Sequence, residues 1–191
     1  MLAGGGAIAA PLTPRAAQTP ESSPAPPTAD PTPDPNPRSG LLSRAQSALR
    51  AERYSEAEAL WLELAHQWPD SAEISYSLGL TFHRQFKIEA AAEAYITATV
   101  LNPNHREAQI NLSLARIQLG QLEEALLPLA HVLALPDRPS SPASIHTLAH
   151  YNQAVIFGRQ SKLEEARQEV DKALAITPSF EQARELIELI R

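Results

Sequence analysis

From about residue 38 onward, apolar residues recur at helical spacing in blocks of roughly a dozen residues, broken by short polar stretches. Four near-copies of one phrase, YSEAEALW, IEAAAEAY, LEEALLPL and LEEARQEV, set an alanine at Ala57, Ala91, Ala125 and Ala166, spaced by 34, 34 and 41 residues. Three further columns step identically: small residues at Ala45, Gly79, Ser113 and Ala154; apolar ones at Tyr54, Ile88, Leu122 and Leu163; and Trp61, Tyr95, Leu129 and Val170. Columns in register at one such period signal stacked copies of a single supersecondary unit.

Each unit reads as two antiparallel helices, which cannot bury their apolar stripes alone and gain stability from a neighbour. Gly79 and Ala91 are expected at helix crossings, where axes about 8–10 Å apart exclude a large side chain, with Trp61 and Tyr95 filling the complementary gaps. Pro69, Pro103 and Pro178 are placed to stop second helices, since proline lacks the amide donor and clashes with the preceding turn.

This pattern resembles the tetratricopeptide repeat, a helix–turn–helix unit of 34 residues. The second copy carries the resemblance best, with Leu78-Gly79, Phe82, Ala91, Tyr95, Ala98 and Pro103. It implies an all-α, right-handed α-solenoid over about residues 38–191, with units at 38–71, 72–105, 106–136 and 147–180 and a capping helix at 181–191. The family is mainly one of protein-interaction scaffolds, and function is therefore sought on the surfaces of the fold.

Ten of the 17 prolines lie in residues 1–37, together with Gly4-Gly5-Gly6 and no aromatic residue. Such a stretch buries too little apolar area to offset its ordering entropy, and a disordered Pro-rich linker is expected. The opening MLAGGGAIAAP leaves two readings open, a plain disordered terminus and a trimmed export signal or anchor. Localisation stays correspondingly open between cell envelope or periplasm and cytoplasm. A net charge of −6 without a basic run argues against nucleic acid as partner. The absence of cysteine excludes disulfides and thiolate chemistry.

If the helix faces follow the family, the first helices line an inner groove. The resemblance then assigns to it Leu42, Gln46 and Leu49; Tyr76, Leu80, His83 and Arg84; Ile110, Leu114 and Gln118; and Tyr151, Val155 and Arg159. Leu42 and Leu49 are read as ordinary core. Asn111 and Asn152, at equivalent places, each offer a donor and an acceptor to a peptide backbone, or else bond a neighbouring helix; Ser43 and Ser77 stand there in the first two units. Without lysine on this face, the family's lysine-rich carboxylate clamp is not expected.

Catalytic chemistry finds little footing. His146 and His150 share the four-residue spacing of metal ligands but lack a third ligand nearby, and are read as surface or groove-edge residues. No phosphate-binding loop occurs. A non-enzyme without cofactor or metal is expected.

The 41-residue step inserts PDRPSSPASIH, where Ser141-Pro142 reads as a helix cap and first turn, starting the fourth unit's first helix early. Pro128 falls inside a helix and removes one hydrogen bond, and Arg116 stands where the neighbouring units have Phe82 and Phe157. In EQARELIELIR, Leu186, Leu189 and Ile190 are expected to face inward and Ile187 outward. These readings combine into a scaffold that binds an extended peptide or partner helix in the groove. The alternative is a self-assembly module associating weakly through the C-terminal helix.

Overall fold

The computed structural model describes residues 37–138 and 143–190. The expectations for residues 1–36 and for Ser141 and Pro142 themselves lie outside the described residues. Among the described residues there are nine helices and no strand: α1 (Pro37–Arg50), α2 (Tyr54–Gln67), α3 (Ala72–Arg84), α4 (Ile88–Leu101), α5 (Arg106–Gln118), α6 (Leu122–Ala134), α7 (Ile145–Arg159), α8 (Leu163–Ile176) and α9 (Glu181–Leu189). Each odd-numbered helix through α7 packs against the even-numbered one after it, and each even-numbered helix packs against its successor. This is the all-α solenoid that the repeat implies. Among the described residues, no helix is long and apolar enough to cross a membrane.

The repeated columns form the core. Ala57, Ala91, Ala125 and Ala166 have no exposed surface, and Trp61, Tyr95, Leu129 and Val170 are also fully buried. The small-residue column is small for a measurable reason at Gly79, where an added Cβ would lie 2.6 Å from both Cδ1 and Cε1 of Tyr95. Trp61 shares one core cluster with Ala45, and the smaller Val170 accompanies Ala154 in another.

The turn within each unit repeats as strictly as the helices. Glu52, Phe86, Gly120 and Ser161 all adopt a left-handed conformation, with φ of 58°, 60°, 76° and 61°. At each turn the following residue, Arg53, Lys87, Gln121 or Lys162, donates its amide to the carbonyl five residues back. The left-handed residue itself donates to the carbonyl three back, which together is the Schellman closure of a helix C-terminus. Pro69, Pro103, Pro136 and Pro178 each follow directly on the C-cap of a second helix.

Two expectations are corrected. The first helix of the fourth unit starts at Ile145, not near Pro142: Ser144 is extended, and its Oγ accepts the Thr147 amide at 3.2 Å. Hydrogen bonds join the residues just after α6 to the start of α7. Asp137 accepts the amides of Arg138 at 2.8 Å and His146 at 3.2 Å, while His146 Nε2 donates to the Leu135 carbonyl at 2.8 Å.

On α9 the apolar stripe is Ala183, Leu186, Ile187 and Ile190, packed with Phe180 on the core of the fourth unit. Leu189 instead is 81% exposed. The spacing i, i+3, i+4, i+7 from Ala183 includes Ile187 and leaves Leu189 on the opposite side, so the stripe is phased on Ala183 and not on Leu186 with Leu189. The helix end is fixed by Arg167, whose Nε and guanidinium nitrogen donate to the Ile190 carbonyl at 2.9 and 2.8 Å.

Candidate functional site

An open depression of about 520 Å³ lies where α3 and α5 meet the turn regions, lined by Tyr54, Leu80, His83, Arg84, Phe86, Asn111 and Leu114. A second hollow, lined by Leu49, Arg50, Glu52, Tyr54, Leu80 and Arg84, adjoins it. The two share Tyr54, Leu80 and Arg84, so they abut along a path across the first three units. Leu80 and Arg84 are four residues apart on α3, and Asn111 and Leu114 three apart on α5; each pair therefore shares one helix face.

Of the residues assigned to the groove from sequence, the structure brings Leu80, His83, Arg84, Asn111 and Leu114 together here. Tyr76 sits deeper on α3 and is half-buried. Its ring packs 6.1 Å from that of Tyr95 and 4.6 Å from His105, and its hydroxyl accepts from Asn111 Nδ2 at 3.4 Å. Burial raises the Tyr76 phenol above its ordinary pKa, helped by the nearby Glu107 and Glu73 carboxylates. It is therefore neutral and hydrogen-bonding at physiological pH. Asn111 thus has a protein partner on one side while remaining only partly buried.

His83 lies between Tyr95, whose hydroxyl is 3.4 Å from Nδ1, and the pocket. Burial depresses its pKa most, against an opposing hydrogen bond that the ring donates to Gln118, and the adjacent Arg84 guanidinium adds to the depression. The imidazole is accordingly neutral near pH 7, and positive charge in the depression comes from arginine.

Five further assignments, on α5 and α7, move away from this surface. Ile110 is 7% exposed and belongs to the core between α5, α6 and α7, because α6 and α7 close over that side of α5. Asn152 is also buried, so it does not project into solvent. Val155 is half-buried against the same core as Ile110. Tyr151 packs edge-on to Phe180, with centroids 5.4 Å apart, because α9 folds back onto the fourth unit. Arg159 donates to the Ile117 carbonyl at 2.7 Å, joining α7 to the C-terminal end of α5, where a cation is favoured.

His146 and His150 are both half-buried and separately engaged. His146 holds Leu135, and His150 Nδ1 lies 2.6 Å from Glu169 Oε2, which leaves Glu169 Oε1 to Lys172 at 2.7 Å. Among the described residues, no group of three or more His, Cys, Asp or Glu is placed to hold a metal ion.

Sequence reasoning missed Tyr54, Arg50 and Phe86. A signal for Phe86 exists in the column Glu52, Phe86, Gly120, Ser161: one aromatic in a place otherwise polar or glycine. Phe86 is 88% exposed, so no packing requirement accounts for it.

A family model described as tetratricopeptide repeat matches residues 42–86 and 84–142. Among curated proteins, the human protein O-mannosyl-transferase TMTC1 is 26% identical over 118 residues, which is 62% of this chain and 13% of that protein. The chain thus spans only a small part of that relative. Among solved structures, MamA matches with a TM-score of 0.72 at 18% identity, covering 81% of each chain. YrrB, described as a protein of this repeat type with an unusual peptide-binding site, matches with a TM-score of 0.69 at 23% identity, covering 81% of this chain and 76% of that one. At these identities the structural likeness concerns the fold.

Proposed function

The chain belongs to the tetratricopeptide repeat family, and we propose that it is a non-catalytic scaffold that holds an extended peptide or partner helix along the depression between α3 and α5. The observation that carries this reading is the convergence of Leu80, Arg84, Asn111 and Leu114 from two successive units on one open hollow. Leu80 and Leu114 offer apolar contact, and Asn111 offers its carboxamide oxygen to a backbone amide while its nitrogen rests on Tyr76. That YrrB has a peptide-binding site supports the reading by analogy of fold. We take the partner to be protein, with no nucleic acid, metal or cofactor in its recognition. The alternative, association through the C-terminal helix, rests on one exposed apolar side chain of α9, Leu189, and has less surface behind it.

The test compares the proteins retained from cell extract by the full chain with those retained by Leu114→Ser and Leu189→Ser variants of unchanged circular dichroism. A set lost with Leu114→Ser and kept with Leu189→Ser supports the depression. The reverse pattern assigns binding to the end of the solenoid.

A further inference from the structure

Arginines occupy the last turn of three first helices at equivalent places: Arg50, Arg84 and Arg159, with Gln118 in the third unit. Arg159 is committed to the Ile117 carbonyl. The guanidinium groups of Arg50 and Arg84 have no ion pair or hydrogen bond among the described residues, and both line the path beside Leu80. Among the described residues, the one carboxylate lining that path is Glu52. In a chain of net charge −6, this is a local surplus of positive charge around an apolar floor.

Phe86 supplies a second, independent observation. Its left-handed φ of 60° is disfavoured for any side chain with a Cβ, which crowds the following carbonyl, and the ring is 88% exposed. The equivalent turns close with Glu52, Gly120 and Ser161, so the fold needs no aromatic there. Phe86 instead lines the same depression as Leu80, Leu114 and Arg84.

We propose that this path receives an internal segment of a partner protein in which an aspartate or glutamate stands within a few residues of a large apolar side chain. The apolar side chain packs against Phe86, Leu80 and Leu114, and the carboxylate pairs with Arg84 and, further along, Arg50. An internal segment fits because the two hollows abut through shared walls between the third unit and the first, so that a chain seated in one can extend over the other. Arginine is suited to the task, since its planar fork takes a carboxylate in two parallel hydrogen bonds. This inference rests on the groove reading above and specifies its ligand.

A random library of twelve-residue peptides, blocked at both ends so that no terminal charge contributes, is selected on the full chain. The enriched sequences should pair Asp or Glu with Phe, Tyr, Trp, Leu or Met. Binding of an enriched peptide should weaken about tenfold in Arg50→Gln/Arg84→Gln and in Phe86→Ser. Rising salt should weaken it more steeply in the parent than in the arginine variant. Serine occupies the Phe86 place at Ser161, so Phe86→Ser keeps the turn and should not lower thermal stability. Enriched peptides that are neutral or basic, yet lose affinity in Leu114→Ser, would overturn the acidic ligand and leave the groove standing. Enrichment insensitive to Leu114→Ser, or no enrichment at all, would overturn the groove reading itself.

Discussion

Arg116 supplies the hydrogen bond that Pro128 cannot make. In α6 the carbonyl of Glu124 would ordinarily accept from the amide of residue 128, which proline lacks; the Arg116 guanidinium donates to it instead at 2.7 Å. The helix continues through the proline from Leu122 to Ala134. Two departures from the repeat pattern, an arginine where Phe82 and Phe157 stand and a proline inside a helix, are thus one feature.

Arg116→Met should cost about 1 kcal/mol, the net worth of a hydrogen bond with a charged donor at a partly solvated site. In a Pro128→Ala background the same substitution should cost markedly less, because alanine at that position brings an amide to the Glu124 carbonyl. A double-mutant cycle by urea unfolding measures the coupling, and additive effects would separate the two residues.

Gly79→Ala tests the core columns. Alanine favours a helix interior over glycine by about 1 kcal/mol, yet here the methyl would meet the Tyr95 ring at 2.6 Å. The clash should win, lowering stability by about 1–3 kcal/mol. Tyr95→Leu added to Gly79→Ala should recover much of the loss, since Ser113 with Leu129 already forms such a pair. A single variant as stable as the parent would show that Tyr95 moves aside freely.

The columns were legible in the sequence because steric exclusion at a helix crossing acts on residue size at a fixed place in the period. The groove was legible only by halves. Leu80, Arg84, Asn111 and Leu114 meet as the repeat suggests, but Ile110, Asn152 and Val155 are drawn into the core where later helices close over their faces. Periodicity reports the face of a helix and not how tightly the next unit covers it. The start of α7 at Ile145 is misplaced by sequence alone because Ser141-Pro142 carries the serine-then-proline signature of a helix start, whereas Ser144, which caps the helix, has no proline after it. The phase of α9 is ambiguous in sequence because Leu186, Ile187, Leu189 and Ile190 admit two apolar stripes; packing against Phe180 and Ala183 selects one.

His83 should titrate below 6.5, since burial and then Arg84 disfavour its charged form. A folded-state pKa below the unfolded one means that the contribution to stability is present above pH 6.5 and is lost as pH falls through the folded value. The His83 ring proton shift, followed by NMR from about pH 8 to 4 so as to bracket the ordinary histidine value, checks the first statement. Arg84→Gln should move the midpoint upward, and a midpoint at or above 6.5 in the parent would contradict the assignment.

Contact between a bound partner and the depression is the central claim, and site-directed photocrosslinking reads it most directly. A photoreactive benzoylphenylalanine replacing Leu114 in the full chain should form a covalent adduct with the peptide selected above. The same group replacing Val100, which is 73% exposed on α4, or Leu189 on α9 should not. Adducts at position 114 alone would support a ligand seated between α3 and α5; adducts at 100 or 189 with none at 114 would contradict it.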